Sequence, residues 1–173
     1  MESNQLQLAS KLTYDSIVDG PGIRMVIWTQ GCLHHCPGCH NPQTHSVTGG
    51  FQENTSVIIQ AIHDAQLQTG LTLSGGEPFD QPIALLEIVK EAKKDGLSVW
   101  AYSGYTYEEL VKEPTRKKLL EEIDILVDGR FMEDQKDYRL HFKGSKNQRI
   151  IDVQKSLKNE KIVLSSYDKS NQF

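Results

Sequence analysis

This chain of 173 residues has only three cysteines, and all of them fall in one short segment, as Cys32, Cys36 and Cys39 of C-L-H-H-C-P-G-C. So few, so closely grouped, do not make the disulfide framework of a small secreted domain. The chain has no apolar run near the ~20 residues that a bilayer-spanning helix requires. It has no excess of positive charge either: the formal net charge is −4, and nothing marks the surface as a general nucleic-acid binder. Internal repeats, low-complexity blocks and Pro/Ser linkers are all missing, as are a Walker loop and a Ser–His–Asp arrangement. The polar opening M-E-S-N-Q-L-Q-L-A-S carries no targeting signal. With reduced cysteines, the expected location is the cytoplasm, without membrane or nucleic acid as partner.

What is present starts with those cysteines. Three thiolates at this spacing can take three corners of a [4Fe–4S] cubane, whose complete ligation by protein takes four. The missing ligand leaves one iron open, and an open metal position is where chemistry happens, as at catalytic zinc. Zinc is the competing reading, because His34, His35, His40 and His45 crowd the same loop and Cys₃His is a structural zinc set. Spacing alone leaves both metals in play.

Apolar content of 38% and charged content of 24% predict one soluble domain over residues 1–173, with a polar tail, 165–173, that frays. The basic stretches 139–149 and 155–161 read as solvated faces. Strands are expected at 23–29, after the turn Asp19-Gly20-Pro21-Gly22, and at 71–73, 97–102, 123–127 and 148–153. A helix over 55–68 would bury Val57, Ile58, Ala61, Ile62 and Ala65 and stop at Gly70. A second, over 82–94, would turn a face of Ile83, Leu86, Val89 and Lys90 inward and close at Asp95-Gly96. Helical segments over 108–120 break near Pro114. Alternation of this kind means βαβ units and a parallel sheet. About five strands are too few for a closed barrel of ~250 residues. The fold expected is therefore α/β, either a curved, open partial barrel or a doubly wound sheet.

In either fold, ligands gather at the carboxyl ends of strands. Four loops fall there: the cysteines, Gly75-Gly76-Glu77-Pro78, Ser103-Gly104 and Asp128-Gly129-Arg130. Paired glycines let backbone approach a ligand closely, and carbonyls beside the Glu77 carboxylate suit an ammonium group. Arg130 can clamp a carboxylate; the alternative is a surface ion pair with Glu133 or Asp134. Trp100 and Tyr102 read as core, Ser103 and Gly104 as within reach of a ribose, and residues 144–149 as a turn near ligand or partner. His34 and His35 either donate to the metal's surroundings or merely line the loop.

C-x-x-x-C-x-x-C after one strand, followed by G-G-E-P after the next, resembles the radical S-adenosylmethionine enzymes. The resemblance implies a truncated, open partial (β/α) barrel, one [4Fe–4S] cluster on Cys32, Cys36 and Cys39, and S-adenosylmethionine chelating the open iron. It implies that Gly75, Gly76 and Glu77 hold the methionyl amine, that the Gly38, Cys39 and His40 backbone lies near the adenine, and that Asp128 and Arg130 meet the methionyl end. Zinc explains the cysteines but not the second loop. D-G-P-G-I-R at 19–24 and C-H-N-P are similar to the activating enzymes of glycyl-radical proteins. Short length, Gly38, S-G-Y-T, V-D-G-R-F and G-S-K-N-Q-R-I-I-D resemble those that act on an anaerobic ribonucleoside-triphosphate reductase; a longer sister group acts on pyruvate formate-lyase. The resemblance spans about residues 14–157, which it marks as the core of the domain. Its implied partners are the reductase large subunit, as protein substrate and in a hetero-oligomer, and an electron donor such as reduced flavodoxin. Most radical S-adenosylmethionine enzymes have an aromatic residue where Gly38 stands, and here His40 is the nearest ring.

Overall fold

The computed structural model describes residues 4–169. Among them, eight strands form one mixed sheet: β1 (Gln5–Leu8), β2 (Thr13–Ser16), β3 (Arg24–Thr29), β4 (Phe51–Asn54), β5 (Gly70–Gly75), β6 (Ser98–Tyr102), β7 (Ile125–Asp128) and β8 (Arg149–Asp152). Their order is β4-β1-β3-β5-β6-β7-β8, with β2 paired on β3. β3, β5, β6 and β7 run parallel. β8 returns antiparallel to β7, and β1 and β2 are antiparallel to β3. The path does not close on itself.

Five helices connect or flank the strands: α1 (Thr55–Asp64), α2 (Pro82–Lys94), α3 (Tyr107–Lys112), α4 (Pro114–Leu120) and α5 (Val153–Asn159). Side chains of a strand alternate between faces. Met25, Ile27, Leu71, Leu73, Val99, Ala101 and Leu126 thus share one face, where they pack with Ile58, Ile62, Leu85, Ile88, Leu110 and Leu119 of the helices in a single core cluster. The opposite face carries a smaller cluster of Trp100, Val127 and Ile150. Helices on one face only make this the wall of an open partial barrel. A doubly wound sheet has them on both.

Three strands escaped the sequence reading. β1, β2 and β4 are Q-L-Q-L, T-Y-D-S and F-Q-E-N, too short and polar to carry an apolar run. Leu6 and Leu8 nevertheless lie in the main core. α1 ends at Asp64 rather than 68, and Gly70 opens β5 instead of stopping the helix. A Cβ at Gly70 would overlap the Arg24 guanidinium. α2 has the expected bounds but buries Ala84, Leu85, Ile88, Val89 and Ala92, while Ile83 is exposed. The turn before it is anchored in the core. Pro78 and Phe79 are buried there, and the Gln81 amide is bonded to the Gln7 and Gln30 carbonyls.

Arg24 closes the floor of the concave face. Its guanidinium donates to the Thr72 hydroxyl (2.8 Å), the Leu71 and Ser98 carbonyls (both 2.9 Å) and the Pro21 carbonyl (3.1 Å), tying three strands at their amino ends. Burial lowers its pKa to about 10. The far edge is closed by the chain's last described segment, contrary to the expected fraying. Ser165 N donates to the Ile150 carbonyl (2.8 Å), Asp168 accepts from Ile150 N (2.8 Å), and the Tyr167 ring meets Trp100 edge-on at 5.5 Å. Residues 170–173 of the expected tail lie outside the described range. Nor is 139–149 simply a solvated face. Lys143 is buried against Asp168, and Arg149 is paired with Asp128.

Candidate metal and ligand site

The loops following β3, β5, β6 and β7 converge on a cavity of about 460 Å³ on the concave face. Cys32, Cys36, Cys39, His40, Gly75, Gly76 and Glu77 line it together, as do Ser103 and Gly104. Of the expected site residues, Gly38, Asp128 and Arg130 do not line it: Asp128 is buried, and Gly38 and Arg130 are exposed.

The cysteine loop leaves β3 directly. Gly31 N donates to the Thr44 carbonyl (2.8 Å) and Cys32 N to that of His45 (3.1 Å), which folds the loop back on itself. His35 adopts φ 48° between two of the cysteines, a left-handed conformation that costs about 1–3 kcal/mol and is found at functional sites. Burial pushes the Cys32 thiol up to about 11 and raises that of Cys36 as well. Without a cation these groups stay protonated, and a metal must displace the protons.

Three observations fit an iron–sulfur cluster to this loop. The donor set is thiols, all free of disulfides. Asn41 N already donates to the Cys39 sulfur (3.4 Å). His45 lines the cavity, and its buried Nε2 has no hydrogen-bond partner. Among the described residues, no three His, Cys, Asp or Glu side chains converge tightly enough to hold a single ion.

The Gly75-Gly76 pair has a role that turn chemistry alone did not reveal. Gly75 has φ 101°, and a Cβ on it would strike the Thr29 backbone; one on Gly76 would strike that of Gly31. Their absence lets the two loops lie together, with Gly76 N donating to Thr29 O (2.7 Å) and Glu77 N to Gly31 O (2.8 Å). Glu77 is thereby delivered beside the cysteines. Its carboxylate is 1% exposed and fully engaged. Oε1 accepts from the Ser103 hydroxyl (2.8 Å) and Phe79 N (3.1 Å), and Oε2 from Gly104 N (2.8 Å) and His34 Nε2 (2.9 Å). Ser103 and Gly104, read earlier as ribose contacts, here serve that carboxylate.

Asp128 is buried and accepts from Tyr107 N (2.8 Å) and Arg149 Nε (3.0 Å). Arg130 donates through Nε to His34 Nδ1 (3.3 Å). Residues 144–149 brace the same loop: Gln148 donates to Gly129 O (3.0 Å) and Asn147 to Arg130 O (2.8 Å). Sequence reasoning missed the rings of Trp28, Phe131 and Phe142, which line the cavity. Phe131 lies 5.0 Å from His40, so the loop after β7, with the last residue of V-D-G-R-F, supplies the aromatic neighbour absent at Gly38. The F of that motif was the available signal.

Fold and site together define an iron–sulfur domain on an open partial barrel, and residues 18–151 match the family described as 4Fe-4S single cluster domain. Curated relatives narrow this. The anaerobic ribonucleoside-triphosphate reductase-activating protein of Vibrio cholerae is 38% identical over 142 residues, covering 78% of this chain and 90% of that one. The Escherichia coli K12 protein of the same name is 36% identical, covering 76% and 90%. That of bacteriophage T4 is 31% identical, covering 80% and 93%. The chain belongs to the family of anaerobic ribonucleoside-triphosphate reductase-activating proteins. In fold alone it is similar to the crystal structure of QueE from Escherichia coli, with a TM-score of 0.50, 16% identity, and coverage of 72% and 71%. Among the described residues, no helix is long and apolar enough to cross a membrane.

Proposed function

We propose that this chain activates an anaerobic ribonucleoside-triphosphate reductase by installing a glycyl radical on it, with S-adenosylmethionine as co-substrate at a [4Fe–4S] cluster. The observation that carries this reading is the meeting, in one cavity, of a loop with only three thiol ligands and a loop that presents a buried carboxylate. When bound, the cluster supplies one electron and an open iron, at which the sulfonium would be cleaved to methionine and a 5′-deoxyadenosyl radical that takes hydrogen from a backbone glycine of the reductase.

Cys32, Cys36 and Cys39 would hold the cluster. Gly75 and Gly76 would offer strand-end carbonyls to the ammonium group, and Glu77 would add its negative charge. The Glu77 oxygens already accept four hydrogen bonds, about the capacity of a carboxylate, so that contribution is mainly electrostatic. Arg130, on the rim, would meet the ligand carboxylate. The Gly38, Cys39 and His40 backbone, with the Phe131 ring, would flank the adenine. Asp128 would act at one remove, by fixing Arg149 and the first turn of α3. Among the described residues the concave face carries no helices, so a segment of the reductase can enter and serve as the lid that excludes water.

The test is anaerobic reconstitution with iron and sulfide, then reduction by an electron donor such as flavodoxin with S-adenosylmethionine and the reductase present. A brown cluster, 5′-deoxyadenosine and a glycyl radical signal in electron spin resonance are expected. No cluster and no 5′-deoxyadenosine would overturn the chemistry; a signal only on pyruvate formate-lyase would overturn the partner.

A further inference from the structure

The four loops of the rim are tied through two side chains, Glu77 and His34. Glu77 gathers the loops after β5 and β6, through Phe79 N, Ser103 and Gly104 N. His34 adds the other two. It belongs to the cysteine loop after β3, bonds Glu77 through Nε2 (2.9 Å), and accepts at Nδ1 from Arg130 Nε in the loop after β7 (3.3 Å). An arginine can only donate. Nδ1 is therefore the acceptor, and the ring proton lies on Nε2, directed at Glu77. Both nitrogens are committed, so His34 is not free to ligate a metal.

The site is shaped to keep this imidazole. The side chain is 5% exposed and packs edge-on against Tyr105 at 4.4 Å. Tyr105 is itself fixed by its bond to Asp80 (2.8 Å) and by Arg116, 4.1 Å above its ring. On the other side stands Gly104, where a Cβ would overlap the His34 ring. Gly104 has no left-handed backbone conformation to explain the glycine; room for the imidazole does.

We propose that His34 is the positioning residue of this site, a clamp that fixes the Glu77 carboxylate relative to the cysteine loop and so sets the spacing between cluster and ammonium-binding loop. That spacing matters for ligand binding only if the function proposed above holds; the clamp itself does not depend on it.

Two readouts separate them. In the metal-free protein, amide hydrogen exchange at Gly104 and Phe79 reports the clamp, because both amides donate to Glu77. His34→Ala is expected to speed both about tenfold or more and to leave the amides of Leu73 and Leu126, inside the sheet, unchanged. His34→Gln, whose amide can donate to Glu77 and whose carbonyl can accept from Arg130, is expected to restore near-wild-type exchange. In the reconstituted protein, His34→Ala should weaken S-adenosylmethionine binding about tenfold, the scale of one hydrogen bond to a charged group, with His34→Gln within about threefold of wild type. Gly104→Ala should behave as His34→Ala does, and it reads the same tie should that variant not fold. Unchanged Gly104 exchange in His34→Ala, or His34→Gln as impaired as His34→Ala, overturns the proposal. Wild-type protein that binds no S-adenosylmethionine overturns the function, and the exchange rates then decide the clamp by themselves.

Discussion

The two faces of the sheet are built from the same strands and differ in almost everything else. On β5, Leu71 and Leu73 point into the helix-covered core, while Thr72 and Ser74 point the other way. On β6, Val99 and Ala101 belong to that core, and Trp100 and Tyr102 to the concave side. The first face is close-packed with aliphatic side chains and holds the fold. The second is thinly filled, floored by a buried arginine, edged by the C-terminal segment and otherwise left as a cavity. Because side chains alternate with period two, one strand can serve both purposes without compromise between them. Stability and chemistry are thus separable by residue parity.

The largest expected effect lies wholly on the concave side. Replacing Cys32, Cys36 or Cys39 by Ser should remove the cluster's visible absorbance and reduce 5′-deoxyadenosine formation to background, since two thiolates cannot anchor the cubane. The urea midpoint of the metal-free protein should stay close to wild type, as the cysteines are half-exposed and outside both apolar clusters. A large loss of metal-free stability would erase the division between the faces.

Adjacent residues give the sharpest comparison. Leu73→Ala empties part of the helix-covered core and should cost about 2–5 kcal/mol in urea unfolding. Ser74→Ala, one residue along and facing the cavity, should cost within about 0.5 kcal/mol. If both cost the same, the concave face bears more of the fold than its packing indicates.

What could be read in advance follows the same division. The helix-covered face was legible because buried parallel strands are continuous apolar runs between turn signals, as in I-R-M-V-I-W-T. The glycine and cysteine loops were legible because their residue types are chemically unusual. The three short strands were not, since Q-L-Q-L and F-Q-E-N owe their pairing to neighbours distant in sequence. The burial stripe of α2 was misplaced for a different reason: Ala84, Leu85, Ile88, Val89 and Ala92 recur at helical spacing, but Ile83 and Leu86 are apolar too and offer a neighbouring stripe. At the candidate site, the sequence pointed to Cys32 and Glu77, which line one cavity, but not to the His34–Glu77 bond, because two residues 43 positions apart share no local pattern. The docking of Tyr167 was equally hidden in a tail of ordinary polar composition.

That tail offers a smaller effect. Tyr167→Ala removes the ring that meets both Trp100 and Phe142, and aromatic pairs contribute about 0.5–1.5 kcal/mol beyond burial. Thermal unfolding should shift down by a few degrees. Since Phe142 lines the cavity, ligand affinity should weaken too, unlike in Leu73→Ala at temperatures where that variant stays folded. An effect on stability alone would make the tail a mere edge cover.

The smallest expected effect tests the rim at β7 and β8, where the two faces meet. Arg149 bridges the buried Asp128 and the half-exposed Glu108 (2.7 Å), and the bond from Arg149 holds the Glu108 carboxyl below its usual range. A carboxyl lowered on folding stabilises the protein at pH values above its unfolded pKa, and this is lost as pH falls through the lowered folded value. Glu108→Gln should therefore destabilise the protein at pH 7, by no more than about 0.5 kcal/mol for a pair this exposed. The difference from wild type should shrink toward zero as the pH falls below the carboxylate range, and high salt should shrink it as well. A gap that stays constant from pH 7 into the acid range would mean that Glu108 acts through packing, and that the Asp128–Arg149 pair holds the rim without it.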